Sequence, residues 1–323
     1  MSGIMGYFYN LVVFPGGLFA LAVGMFFAGI DRKIYARMQR RVGPPIYQPI
    51  IDLIKLMHKE TLIPRTSNQK AFRLAPLAGF AGMLVLVTCI PVPGVFQGIG
   101  QLDNLLLILY ILAIPAIALM VGASSSGSPF GAVGVSREMV MTIAYEVPLI
   151  IVILTIGIKA GNASGVLADF SLKSIISLQK ETGSILSDIT MVPAFIAFLC
   201  CIPGTLGAVP FDIPEAETEI AEGPILEYSG ISLGLFKLTG WLKMFAVSAL
   251  ATVLFYPVPY GSHWLLSVFL FILKCLFTIL ISVTLVRATM ARMRIDQAYK
   301  FYLRIPTGLA LLSLVLTIFH VHV

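Results

Sequence analysis

Long apolar runs alternate along this chain with short stretches that carry nearly all of its charge. A helix needs about 20 apolar residues to cross a hydrocarbon core roughly 30 Å thick. Eight runs approach that length: residues 11–30, 74–92, 104–122, 139–159, 189–209, 231–256, 264–287 and 306–323. A shorter pattern follows the first run. From Pro49 to Lys59, Ile50, Ile51, Ile54 and Met57 recur on one helical face, with Asp52, Lys55 and Lys59 opposite. This stretch is too short to span, so it is expected to lie along the membrane surface. The predicted fold is an all-α integral membrane protein: eight transmembrane helices with a membrane-surface amphipathic helix after the first, in one domain over residues 1–323.

Composition supports the bilayer as solvent. Hydrophobic residues make up 58% of the 323 and charged residues 12%, about half the ~25% of soluble domains, and the mean hydropathy is +0.94. The first run begins too late and is too long for a signal peptide, with no basic region ahead and no small-residue cleavage site behind, so it is expected to be retained. The loop after it, 31–73, holds ten Lys/Arg, and further basic residues stand at Arg137, Arg292, Arg294, Lys300 and Arg304. Alternate loops hold little more than Lys173 and Lys180, with Lys159 at their edge. By the positive-inside rule both termini are expected outside a cell membrane, with loops 31–73 and 210–230 cytoplasmic. The net charge of +6 then reflects topology and anionic lipid, not nucleic acid. Cys89, Cys200, Cys201 and Cys275 all fall in apolar runs without metal-ligand spacing and are expected to pack as small hydrophobes. No iron–sulfur, P-loop or dinucleotide signature is present, and no cofactor is expected in this chain.

Three stretches carry chemistry. Loop 31–73 gathers Arg32, Lys33, Arg37, Arg40 and Arg41 ahead of Gly43-Pro44-Pro45, a rigid corner. A lipid anchor needs neither that corner nor Asp52, so a docking or pocket element is expected. Loop 210–230 inverts the charge: Asp212, Glu215, Glu217, Glu219, Glu222 and Glu227 occur without one Lys or Arg. Asp212 is expected to cap a short helix ending at Gly223-Pro224, with Glu215, Glu219 and Glu222 within ~60° of one another. Carboxylates so placed raise each other's pKa and exchange protons near neutrality. In the third stretch, Glu138 and Glu146 enter the fourth run. Glu146 lies well inside that run, and a carboxylate at such depth costs roughly 2.5–3.5 kcal/mol on insertion scales and marks a polar cavity or ion path. Lys237 and Lys243 in the sixth run and Lys274 in the seventh are of the same kind.

Together these stretches resemble subunit 1 of respiratory complex I and its relatives in membrane-bound hydrogenases. The resemblance rests on Arg32-Lys33, Gln39, Arg41, Gly43-Pro44, Gln48-Pro49, Asp52, Lys55-Leu56 and Lys59-Glu60. It continues in the run from Pro210 to Glu219 and from Glu227 to Gly230, in Arg137 with Tyr145-Glu146, and in Arg292 to Gln297. Four motifs in order cover nearly the whole chain. Ala144 replaces the Ser common in the third.

The resemblance implies a subunit without a redox centre that anchors a soluble redox arm and contains the first part of a glutamate-lined path toward antiporter-like membrane subunits. Glu146, Asp212, Glu215, Glu217 and Glu219 carry over to that path, to which Glu138, Glu222 and Lys237 are added by position. Arg41, Gln48, Asp52 and Lys59 carry over to the arm-facing loop, with Arg32, Lys33, Arg37 and Arg40. Partners implied are hydrogenase-like large and small subunits carrying iron–sulfur clusters and, in hydrogenases, a nickel–iron centre. Quinone-reducing members have about six more residues between the Gly-Pro and Gln-Pro of loop one and a Glu where Gly240 stands; they generally have small residues at the positions of Glu138 and Glu222. The shortened loop is closer to energy-converting hydrogenases, formate hydrogenlyases and sulfur-reducing relatives. The alternatives are a quinone-chamber subunit, a stand-alone secondary transporter, for which repeated halves are missing, and a bare anchor, which leaves Glu146 without a role.

Overall fold

The computed structural model describes residues 10–14, 16–92, 96, 98, 102–257 and 263–321. Among these the chain is all helical apart from isolated bridges at Val92–Phe96 and Asn104–Ser171. The helices are α1 (Gly17–Met38), α2 (Gln48–Met57), α3 (Gln69–Cys89), α4 (Leu105–Ser125), α5 (Pro129–Ser164), α6 (Leu172–Thr182), α7 (Val192–Thr205), α8 (Glu217–Ile220), α9 (Gly230–Phe255), α10 (Trp264–Ile279), α11 (Val286–Thr289) and α12 (Ile295–Val321). A π-helical stretch, Leu280–Leu285, joins α10 to α11 without a break. Seven helices among the described residues are long and apolar enough to cross a membrane.

The apolar runs locate these seven, but two helices begin well before their runs. α5 starts ten residues before the run at 139, and α12 starts at Ile295, eleven before the run at 306. The last two residues of that final run, 322 and 323, lie outside the described residues. The run at 189–209 forms only a 3-10 turn, Ile189–Met191, and the 14-residue α7. At 1.5 Å per residue α7 is about 21 Å long. It ends where Gly207 turns left-handed, at φ 61°.

α9 is the central post. From Trp241 to Phe255 every residue is buried, and α1, α3 and α10 pack around it. Between helices in lipid, close packing replaces the hydrophobic drive, and small residues allow backbones to approach. Gly24 of α1 is such a point: a Cβ there would collide with the backbone carbonyl of Trp241. Outward-facing Leu265, Phe269 and Phe277 on α10 and Leu312 and Phe319 on α12 remain exposed, as lipid-facing side chains do.

A helix leaves its last carbonyls unpaired, and α9 ends inside protein. Gln179 donates to Leu254 O (2.6 Å), Ser184 to Phe255 O (2.7 Å), and Lys274 to Tyr256 O and Pro257 O (both 2.9 Å). Lys274 therefore caps a helix end from within a neighbouring span. At the same end of the bundle Lys159 pairs with Asp188.

Candidate functional site

The other end of α9 opens on a cavity of about 400 Å³. Its wall carries four acidic and four basic side chains: Asp31, Glu138, Asp212 and Glu215 against Arg32, Lys237, Lys243 and Arg287. Asp31 is buried on α1 and accepts the Thr284 hydroxyl (2.6 Å) and the Arg287 guanidinium (3.2 Å). Arg287 also lies over the Tyr35 ring, 4.4 Å from its centroid. Deeper in the bundle, buried Lys243 interacts electrostatically with Glu138, Glu215 and Glu146. One cation thus serves three carboxylates drawn from α5 and the acidic loop.

The acidic loop does not form the expected helix. From Asp212 the chain turns, with Glu215 N–H donating to Asp212 O (3.2 Å); only Glu217–Ile220 is α-helical, and Gly223–Ile225 is a single 3-10 turn. Ala221 and Glu222 then take left-handed backbone angles, φ 51° and 68°. The supposed common face is therefore split. Glu215 lines the cavity, Glu217 is exposed, and Glu219 turns to Arg137 (2.5 Å), which also reaches Ile213 O (3.4 Å). Glu222 is exposed yet within electrostatic reach of Glu215. Asp212 pairs with Arg292 at 2.8 Å.

Burial pushes the Glu215 carboxyl up to about 7, helped by Glu138, Glu222 and Asp212 and opposed by Lys243. Burial likewise raises Asp212, against the pull of Arg292 and Arg287. A carboxyl titrating near neutrality beside others can take up and release protons at working pH. The linkage has a definite sign. From its ordinary 4.5, Glu215 rises on folding to about 7, so its contribution to stability is complete below the lower value. That contribution is lost as pH climbs through the upper one. Glu215→Gln is therefore expected to raise the thermal unfolding temperature in detergent at pH 8 and to leave it unchanged near pH 4.5. An equal shift at both pH values would contradict the assignment.

Loop one is built around Asp52, which accepts from Arg32 (3.1 Å) and from Gln48 (2.8 Å). Burial acts to raise Asp52, but those two hydrogen bonds and the charges of Arg32 and Lys237 hold it below the usual carboxylate range. Asp52 thereby joins loop one to the cavity wall through Arg32. Lys33 donates to Gly43 O (3.3 Å), securing the Gly-Pro-Pro corner. Arg37, Arg40, Arg41 and Lys59 are exposed, with Arg41 donating to Gln39 (3.0 Å). The far end of the loop is tied to the Glu-Tyr-Ser-Gly motif: Ser229 accepts from Leu62 N (2.8 Å), and Tyr228 stacks on Phe72 at 4.1 Å.

Of the residues expected on the path, Glu138, Asp212, Glu215 and Lys237 line the cavity; Glu146 joins them through Lys243, while Glu217, Glu219 and Glu222 do not line it. Asp31 and Arg287 carry no signal in the sequence. Asp31 reads as the first charge of a basic loop, and its partner is 256 residues away.

The arrangement is that of a polytopic membrane protein with eight ionisable side chains lining a cavity beside its central helix. The chain belongs to the NADH dehydrogenase family of complex I membrane proteins, whose profile matches residues 11–318. It is 32% identical over 312 residues to the H subunit of the NADH-quinone oxidoreductase of Dehalococcoides mccartyi (strain CBDB1), covering 94% of this chain and 84% of the relative. To its counterpart in Geobacillus kaustophilus (strain HTA426) it is 30% identical over 324 residues, 95% and 94% of the two chains. Among solved structures it resembles a chain of the membrane-bound sulfane sulfur reductase, an archaeal respiratory membrane complex. That match has a TM-score of 0.87 at 28% identity, covering 97% of this chain and 99% of the other.

Proposed function

We propose that this chain is the membrane anchor and coupling subunit of a complex I-related, redox-driven ion pump, passing protons or sodium ions through linked carboxylates while electrons stay in soluble partners. The observation that carries this reading is buried Lys243 among Glu138, Glu146 and Glu215 beside a charged cavity. A structural anchor has no use for three carboxylates within a bundle. In this reading α7 is the eighth crossing, α2 lies on the membrane surface, both termini are outside a cell membrane, and loops 31–73 and 210–230 face the cytoplasm.

Within the family, the ferredoxin-linked hydrogenase and sulfur-reducing branch is favoured. Loop one is short, Gly240 lines the cavity where quinone-reducing members carry Glu, and the sulfane sulfur reductase chain matches end to end. The second reading is a quinone-chamber subunit. It is favoured by the names of the curated relatives and by a cavity of about 400 Å³.

Exposed Arg37, Arg40, Arg41 and Lys59 form a basic surface suited to an acidic partner. Affinity capture through this chain is expected to bring iron–sulfur subunits and antiporter-like membrane subunits. Arg40→Glu with Arg41→Glu is expected to release the soluble arm while the membrane partners remain. Capture of the chain alone, or a complex unaffected by both reversals, would sink the docking assignment. A large subunit with nickel ligands would favour hydrogenase over the quinone reading.

A further inference from the structure

A second cavity, about 220 Å³, lies beside the first and is lined by Arg137, Glu219, Arg292, Arg294 and Asp296. One residue lines both: Asp212. We propose that the Asp212–Arg292 ion pair is a gate between the two cavities, and that the outer cavity is the port through which protons from the cytoplasmic side reach Glu215. The inference rests on the proposed function and deepens it by naming where protons are admitted.

Position and pairing argue for it together. Asp212 is buried, 8% exposed, and its carboxylate is held at 2.8 Å by Arg292, whose own position is fixed by Thr218 Oγ1 at 3.0 Å. Arg292 is half on the surface and lines only the outer cavity; Glu215 lines only the inner one. The turn that joins Glu215 N–H to Asp212 O makes the two acids consecutive stations along the wall. Arg287, the second cation acting on Asp212, lies on the inner side. The outer cavity is polar and large enough for several waters.

The step balances. A hydronium ion in the outer cavity gives its proton to the Asp212 carboxylate, leaving water and a neutral acid. Attraction to Arg292 falls with that charge, and the guanidinium keeps Thr218 and turns to Glu219, already beside Arg137. Asp212 then donates the proton to the Glu215 carboxylate, regains its charge and draws Arg292 back. The ion pair is therefore closed when Asp212 is empty and open when it is loaded.

Met293 lines the outer cavity, half-buried, with its backbone N–H on Pro210 O at 3.2 Å. Met293→Cys in the assembled complex, in inside-out vesicles, provides the test. A water-soluble maleimide is added, and labelling is followed by mass spectrometry. Fully labelled complex is expected to lose proton uptake relative to the same vesicles before labelling, while electron transfer to an artificial acceptor continues. Ile295→Cys, on the same cavity, serves if the first variant does not assemble. Arg292→Lys is expected to keep uptake and Arg292→Gln to reduce it, since only the former can re-form the pair. Uptake that survives complete labelling overturns the port. Glu146→Gln in parallel separates the hypotheses: if it stops uptake while labelled Met293→Cys does not, the path stands and the port falls.

Discussion

With Glu146 replaced by Gln, the assembled complex is expected to keep electron transfer to an artificial acceptor and to lose ion translocation in sealed vesicles. Gln nearly preserves the size of Glu and puts a hydrogen-bonding amide in place of the carboxyl, but it cannot bind and release a proton. Glu146 sits well inside α5, one of three carboxylates around Lys243. A row of interacting sites passes protons by successive titration, so one inert member interrupts it. Electron carriers are expected only in partner subunits, and the artificial acceptor bypasses the coupling step. Normal translocation would favour a passive anchor. Loss of the artificial-acceptor activity in correctly assembled complex would imply a catalytic role. Either outcome removes Glu146 from the path.

The legible and illegible parts of this molecule divide on how local their causes are. Seven spans are written in apolar runs because lipid acts on each residue separately. The helix ends beside the cavities are hidden because their polar residues face protein. α5 begins ten residues before its run, carrying Arg137 to the acidic loop and Glu138 to the cavity, where hydropathy alone registers only a break. The acidic loop is legible in composition and not in shape. A helical wheel groups Glu215, Glu219 and Glu222, but distant partners set the loop: Arg137 holds Glu219, Arg292 holds Asp212, and Phe72 stacks on Tyr228. Lys243 is visible as a charge in an apolar run, but its service to three carboxylates from other segments is not. Asp31 and Arg287 show the same limit, since neither position has a local pattern that names the other.

Lys243→Met is expected to be the most damaging single change in the bundle, lowering stability by about 3–5 kcal/mol and abolishing translocation. Lys243 is buried on the central helix, 8% exposed, and among the described residues no second lysine acts on Glu146. Met matches its length and apolar stem, so packing is largely kept and the loss is electrostatic. Removing one partner of a buried charge cluster leaves the others uncompensated, which costs more than the pairing contributed. For Glu215 the direction is explicit: Lys243 is the cation that restrains its rise. Without it the carboxyl moves further above about 7 and retains its proton at working pH, so a path through Glu215 stalls in the loaded state. A second substitution separates the two effects. Glu138→Gln on the Lys243→Met background removes one uncompensated carboxylate and is expected to recover much of the unfolding temperature. Translocation should stay absent, because charge balance returns but the chain of titrating sites does not. Thermal unfolding of the purified complex and ion uptake in vesicles read the two quantities independently. If Lys243→Met unfolds and pumps like the native protein, the cluster around it is neither an electrostatic keystone nor part of the path.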